Sequence, residues 1–259
     1  MIALLAVGVI SPFFLDATAE VRSTYQSLGK MVEDRPMQVT NIRFGYDAGE
    51  FGRFGVRNWD VSSLTDRRRE AHRHEFYHTE FGAVWQYDID LAEGWTLKSE
   101  LNLSWTLYRR FDSRESNRTY RWLQLTQSVE NRYVVPFWTM RKCFHGNDYF
   151  YFRAGLRRRF DLPFGTYLMP SVYADGGSSR NQKRVFGAKG GGMEWNEGAS
   201  SVSARLEFGW RVNDAVSAFV FIEQYEVVGG DERRKNRSSS YRCAHNDWTH
   251  GGVGVRIRF

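Results

Sequence analysis

The segment from Trp95 to Arg110 restricts the fold of this chain more than any other feature of its sequence. Its odd positions are mostly apolar and its even positions are polar or charged, and this alternation continues through the whole segment. A period of two is that of a β-strand with one wet face and one apolar face. Because strands of soluble sheets are usually about 5–6 residues long, the length indicates a strand that crosses a thicker apolar layer.

Two tryptophans on the apolar face give a measure of that layer. Trp95 and Trp105 lie on the same face, ten residues apart. At about 3.3 Å per residue and a tilt near 40°, ten residues cover roughly 25 Å along a barrel axis, the height of the apolar band of a membrane barrel. This match favours lipid on the apolar face. We therefore predict a lipid-facing girdle formed by Trp85, Trp95, Trp105 and Trp210.

The same alternation recurs along the chain and predicts an all-β fold, a single transmembrane antiparallel up-and-down β-barrel. The candidate strands are 37–47, 51–61, 75–91, 95–109, 119–134, 148–161, 165–175, 185–195, 199–212, 215–228 and 247–259. Bacterial single-chain barrels carry even numbers of strands, so this odd count contains an error. We expect twelve strands, the twelfth within 20–35 or 135–147, with ten as the alternative. A soluble β-sandwich is the alternative fold.

The first residues differ from the rest of the chain. Met1 to Leu15 is almost entirely apolar, and Ala17-Thr18-Ala19 has the small-x-small form of a signal-peptidase site. The run is shorter than the ~20 residues that a spanning helix needs. We therefore predict a signal peptide over 1–19, a lead-in with possibly one further strand over 20–36, and the barrel domain over 37–259.

The C-terminal strand carries a resemblance to a known class of protein. Val253, Val255, Ile257 and Phe259 share one face of the last candidate strand, and Phe259 ends the chain. A final alternating strand with a C-terminal Phe resembles the sorting signature of bacterial outer-membrane β-barrel proteins, which include the porins. The resemblance implies location in the outer membrane of a Gram-negative cell. The partners it implies are outer-membrane lipid, lipopolysaccharide and the barrel-assembly machinery.

The polar face of the candidate strands is charged throughout, and in a barrel it faces the lumen. One interpretation is a filling of ion pairs that supports the wall, since neighbouring Arg and Glu side chains pair across strands. The other is a narrow porin-like pore with an Arg-rich lumen that favours small anionic solutes. The predicted lumen-lining residues are Glu80, Asp88, Lys98, Glu100, Glu130, Arg132, Arg153, Arg157, Arg159, Arg205, Glu207, Arg211, Arg256 and Arg258.

The net charge of +6 and pI near 9.4 suggest a polyanionic partner. The basic clusters lie between the alternating segments, in candidate outer loops, so we do not expect nucleic acid. Lipopolysaccharide phosphates lie at the height of these outer loops and are suitable partners for Lys and Arg side chains. The alternative is a solvated loop with no specific partner. A surface binding protein acting through loops 62–74 and 229–246 is therefore a further functional hypothesis. The loop basic patch comprises Arg67, Arg68, Arg69, Arg233, Arg234 and Lys235.

The two cysteines each open a Cys-x-His pair. Cys143 with His145 and Cys243 with His245 match the donors of a tetrahedral zinc site, or the cysteines form a disulfide, or the pairing is coincidental. The strand count above places Cys143 at the periplasmic side and Cys243 outside, which excludes both a shared zinc site and a disulfide between them. We therefore expect no metal and no cofactor.

An outer-membrane enzyme, a lipid or peptide hydrolase or an acyltransferase, is the remaining alternative. Two outer loops bring acidic and histidine side chains close in sequence, but no nucleophile motif marks them. The expectation is therefore a barrel without enzymatic activity. The residues concerned are Asp66, His72, His74 and His78 near one loop, and Asp231, His245 and Asp247 near the other.

Overall fold

The strands of this protein form one large antiparallel sheet. A computed structural model describes residues 12–27, 30–33, 35–64, 76–110, 118–145, 149–178, 198–228 and 246–259. Its strands are β1 (Phe13–Arg22), β2 (Tyr25–Ser27), β3 (Lys30–Glu33), β4 (Met37–Asp47), β5 (Arg53–Ser63), β6 (Phe76–Ala92), β7 (Trp95–Arg110), β8 (Arg118–Glu130), β9 (Val135–Cys143), β10 (Tyr149–Arg157), β11 (Phe160–Asp161), β12 (Thr166–Gly177), β13 (Gly198–Arg211), β14 (Val216–Val227) and β15 (Asp247–Arg258).

The sheet closes on itself as a barrel of twelve strands. Neighbours in the chain pair in order from β4 to β10, β10 pairs with β12, and β12 to β15 continue the wall. The closing seam is β1, which pairs with β15 on one side and β4 on the other. The short β11 adds only to β12, and β2 and β3 form a separate hairpin between β1 and β4. The predicted all-β barrel of twelve strands is confirmed.

The two ends of the barrel differ in the length of their connections. At the end that carries Phe259, the links are short, such as Glu93-Gly94 between β6 and β7 and residues 212–215 between β13 and β14. At the opposite end most links are longer, and they include 178–197 and 228–246. Short turns are periplasmic and long loops extracellular in bacterial barrels. Phe259 therefore lies at the periplasmic end.

The structure resolves the error in the predicted strand count. Ten of the eleven candidates correspond to wall strands, and the two missing strands are β1 and β9, the second of which lies within the suspected 135–147. The candidate 185–195 lies outside the described residues, and its flanking strands β12 and β13 pair directly with each other. The other suspected segment, 20–35, contributes only the end of β1 and the hairpin.

Strand β1 contains the predicted signal-peptidase site. Ala17, Thr18 and Ala19 pair with β15 and with β4, between the two strands that close the barrel. A chain cut after Ala19 would lose Phe13 to Ala19 from the wall and leave edges of β4 and β15 unpaired, which is costly in lipid. The signal peptide and its boundary after Ala19 both stay predictions.

The outer wall is apolar over the middle of the barrel. Exposed side chains such as Phe44, Phe81, Leu103, Leu206 and Val253 alternate with inward polar residues along their strands. All four predicted girdle tryptophans are exposed, Trp95 and Trp210 near periplasmic turns. The Trp85 indole donates to the carbonyl of Phe51, in the turn between β4 and β5. No helix within the described ranges is long and apolar enough to cross a membrane.

Candidate functional site: the barrel lumen

Ion pairs between strands that are not neighbours identify the inward face. Arg43 on β4 pairs with Glu100 on β7 at 2.8 Å, across β5 and β6. Arg157 on β10 reaches Glu130 on β8 at 2.6 Å, across β9. Side chains can meet over an intervening strand only by pointing into the barrel. The lumen is therefore the polar interior of the molecule, where these charges are arranged.

A buried cluster around Glu80 fills one half of the lumen. Arg141 donates to both carboxylate oxygens of Glu80, at 2.9 and 2.8 Å, and Arg57 lies 3.8 Å away. Thr106 also donates to Glu80, and Arg141 donates to Gln124. The Glu80 side chain is 1% exposed, so its two arginine partners compensate a charge that water does not reach.

The other half of the lumen holds a chamber of about 240 Å³. Its apolar lining is small, namely Phe137 and Met169, and Ser171 and Tyr173 add polar atoms. Arginines dominate its charged lining. The charged lining residues are Arg22, Arg153, Arg157, Arg205, Arg256, Glu207 and Glu223.

The chamber arginines are held in place by carboxylates. Arg256 donates to both oxygens of Glu207, at 2.6 and 2.8 Å, and Arg205 donates to the same carboxylate at 2.9 Å. Arg153 pairs with Asp175 at 2.8 Å. Asp175 lies outside the chamber lining, as do Glu130 and Glu20, the partners of Arg157 and Arg22. Three acids that pair with chamber arginines therefore lie outside the chamber lining, whereas all three of those arginines belong to it.

Aromatic rings support the same guanidinium groups. Arg205 lies 3.7 Å from the ring centroid of Phe221, and Arg256 lies 4.0 Å from that of Phe219. Arg153 lies 4.1 Å from the ring of Tyr173. Stacking of this kind fixes the plane of a guanidinium and leaves its edge free to donate. The rings are covered, so hydrogen-bond donors rather than ring faces are presented to the chamber.

Glycines on neighbouring strands make room for these rings. Gly254 pairs with Phe219 and Gly252 pairs with Phe221, and a Cβ at either glycine would lie 2.5–2.9 Å from ring carbons or backbone oxygen. Gly209 lies under the ring of Tyr167 in the same way. The inward aromatics and the opposing glycines are thus one packing arrangement.

The extracellular end of the lumen is filled by buried side chains. Ring contacts hold part of this layer together: Tyr225 and Trp248 lie 3.6 Å apart, and Trp122 and Tyr149 lie 5.0 Å apart between centroids. Eleven of the twelve wall strands contribute. We call the following buried, inward-facing set the outer layer: Met37, Val61, His78, Thr106, Trp122, Cys143, Tyr149, Asp175, Ser201, Tyr225 and Trp248.

Comparisons with solved structures show the same architecture elsewhere. The translocator domain of the autotransporter NalP from Neisseria meningitidis aligns with 96% of this chain and 89% of its own, at 12% identity and a TM-score of 0.51. LpxR from Salmonella typhimurium aligns with 94% of this chain and 99% of its own, at 9% identity and a TM-score of 0.50. The protein has the fold of the bacterial outer-membrane β-barrels.

Further matches lie in the same class at lower similarity. A KdgM porin in complex with disordered oligogalacturonate aligns with 95% of this chain and 99% of its own, at 10% identity and a TM-score of 0.49. No protein-family model and no curated protein matches the sequence. The closed barrel and its apolar outer wall place the protein in the bacterial outer membrane.

Within this outer-membrane barrel, eight of the predicted lumen residues form ion pairs in the interior. They are Glu80, Glu100, Glu130, Arg153, Arg157, Arg205, Glu207 and Arg256.

The other six lie at or beyond the periplasmic mouth. Asp88 and Lys98 are exposed and 4.0 Å apart, and Arg258 and Arg211 are exposed at strand ends. Arg132 stacks on Tyr133 in the turn after β8, and Arg159 pairs with Asp161 after β10. Both Arg132 and Arg159 follow the last residue of a strand, and the Arg159 guanidinium lies 4.0 Å from the ring centroid of the inward-facing Tyr167, so their place in the lumen lining stays a prediction.

Several interior residues escaped the sequence prediction. Glu20 and Arg22 fell in the segment assigned to the lead-in, and Arg141 fell in a segment without an assigned strand. Glu223 lies on β14, whose alternation is obscured by apolar residues on both faces. The run Phe219, Phe221, Glu223 and Tyr225 is the inward face, and a signal for it was the matching glycine run on β15.

The predicted placement of Cys143 at the periplasmic side is wrong. Cys143 ends β9 at the extracellular end, the same end as the link that contains Cys243. Its thiol is free and donates to the carbonyl of His145 at 3.2 Å. Cys243 and His245 lie outside the described residues, and within the described ranges no three metal-binding side chains come together.

The remaining predicted sites divide between the wall and undescribed segments. His78 is buried in the lumen beside Trp59, and Asp247 is exposed at the start of β15. Val253, Val255, Ile257 and Phe259 share the outer face of β15, and Phe259 pairs with Leu15. The residues outside the described ranges are Asp66, Arg67, Arg68, Arg69, His72, His74, Asp231, Arg233, Arg234 and Lys235.

Proposed function

We propose that this outer-membrane barrel conducts small anionic solutes through its lumen, in the manner of a narrow porin. The chamber carries this proposal, because five arginines and two glutamates form its charged lining. A guanidinium has five N–H donors in a planar fork that suits carboxylate and phosphate oxygens. The role is one of passage and binding, with no catalytic step.

The arrangement of the acids supports an anion rather than a cation as the solute. Asp175, Glu130 and Glu20 pair with chamber arginines but do not line the chamber themselves. An entering anion thus meets guanidinium N–H groups first. An entering cation meets those same groups, and both glutamates of the lining are already engaged: Glu207 accepts from Arg205 and Arg256, and Glu223 accepts from Tyr173 and lies 3.7 Å from Arg205.

The outer layer sets a condition on passage. Its side chains are buried across the extracellular end of the lumen, so a solute crosses only when part of this layer moves. Inward charges at the periplasmic mouth, including Asp88 and Lys98, are exposed. The chamber is therefore expected to exchange solute with the periplasm more readily than with the medium outside.

Charge selectivity in planar bilayers tests the proposal. Under a potassium chloride gradient, the reversal potential of the purified protein should have the sign of a chloride-selective channel. Arg157→Gln removes one chamber charge, at a half-exposed position, and should lower the anion-to-cation permeability ratio about twofold or more.

A matched control is Arg121→Gln, which removes the same charge from an exposed position on the outer wall and should leave the ratio unchanged. The proposal is overturned if the protein shows no conductance even after the outer layer is weakened as described in the Discussion. It is equally overturned if the conductance shows no preference for anions.

A further inference from the structure

Three polar side chains form a hydrogen-bonded row on the outer wall, facing lipid. Trp138 on β9 donates from its indole N–H to Oε1 of Gln127 on β8 at 3.0 Å. Gln127 donates in turn from Nε2 to Oγ of Ser99 on β7, also at 3.0 Å. The three residues are direct partners in the strand registers, and each is partly exposed. We call this set the polar row.

The polar row lies inside the apolar band rather than at its edge. On β7, Ser99 lies between the girdle residues Trp95 and Trp105. Four residues from Trp95 correspond to roughly 10 Å of height at a tilt near 40°. The outward neighbours on the same strands are apolar, namely Leu97, Leu101, Leu125 and Val129.

The two hydrogen bonds leave bonding capacity in the row. A primary amide has two N–H donors and two acceptor sites on its oxygen, and each bond uses one of them at Gln127. The Ser99 hydroxyl accepts in this row, which leaves its own proton to donate. Acyl chains offer no hydrogen-bond partner at this depth, so a lipid neighbour would leave these groups unsatisfied.

We propose that the polar row is the centre of a two-fold contact between two copies of this barrel. A primary amide is complementary to itself, because its N–H and its carbonyl can face the carbonyl and N–H of a second amide. A two-fold axis parallel to the barrel axis beside Gln127 brings the two amides together in this way. The surrounding Leu97, Leu101, Leu125 and Val129 carry no charge that the contact would have to desolvate.

Disulfide cross-linking in phospholipid vesicles tests the geometry. The probe is Gln127→Cys in a chain whose Cys143 and Cys243 are replaced by serine, and the control is Ile222→Cys, an exposed position on the outer face of β14. Oxidation should link most of the Gln127→Cys chains into dimers and few of the Ile222→Cys chains. Equal yields at the two positions would overturn the proposal.

Sedimentation in detergent tests the chemistry with both native cysteines in place. Wild type should sediment as a dimer, and Gln127→Leu should raise the dimer dissociation constant about tenfold or more. Gln224→Leu is the matched control, because Gln224 also lies on the outer wall, near the extracellular end, where it accepts from Thr249. A monomeric wild type, or a Gln127→Leu variant that dimerises like wild type, would refute the two-fold contact.

Discussion

At the scale of single residues, the lumen depends on charges that compensate one another without water. Glu80 receives two hydrogen bonds from Arg141 and lies beside Arg57, and all three are buried. Removal of one member leaves the others as uncompensated buried charges, which costs more than the intact group contributes. The sequence predicted Glu80 as an inward residue but gave no information on which arginine it meets, because Arg141 lies three strands away around the wall.

The Glu80→Gln substitution tests this dependence. Because it leaves two buried guanidinium groups facing a neutral amide, we expect it to lower the free energy of unfolding by about 3–5 kcal/mol. Urea unfolding in detergent, followed by tryptophan fluorescence, measures the loss. Asp88→Asn removes an exposed carboxylate from the same strand and should change stability by about 0.5 kcal/mol or less. A Glu80→Gln barrel as stable as wild type would contradict the compensation argument.

At the scale of strands, alternation predicted most of the wall because only one face of each strand meets lipid. The pattern is clearest in β6 and β7, and it is lost in β14, where both faces are apolar. Strand β1 was missed for another reason, because its residues were assigned to the signal peptide and the lead-in. The local pattern of β1 is short and follows an apolar run, so only its pairing with β4 and β15 reveals it as the closing strand. Closure is a property of the whole sheet and is absent from any one segment.

The place of β1 in the seam leads to a prediction about the mature protein. Residues 13–19 supply most of the contacts that join β4 to β15, so a barrel without them would expose two unpaired edges to lipid. We expect the protein isolated from outer membranes to retain Phe13 to Ala19. Intact-mass measurement shows the first residue, and heat-modifiable migration in gels shows that the barrel is folded. A folded barrel that begins at Glu20 would refute the twelve-strand closure through β1.

At the scale of the whole molecule, the barrel is asymmetric between its two mouths. Charged inward residues are exposed at the periplasmic end, the arginine chamber lies between, and the outer layer closes the extracellular end. Sequence alternation indicates which residues face inward but not whether the interior is open. That outcome depends on how inward rings pack at the extracellular end, as Tyr225 and Trp248 do on neighbouring strands and as Trp122 and Tyr149 do over the intervening β9.

The outer layer is therefore expected to limit conductance, and its aromatic stack is the place to weaken it. Truncation of both rings in a Tyr225→Ala, Trp248→Ala double variant removes two large buried side chains from the extracellular end of the lumen. Single-channel conductance in planar bilayers should rise severalfold while the anion preference is kept, because the chamber arginines are unchanged. Trp210→Ala removes a ring of the same kind from the outer wall and should leave conductance as in wild type. If wild type conducts and the folded double variant conducts no better, the closure lies elsewhere in the lumen, and the arginine chamber rather than the outer layer is the narrowest part of the path.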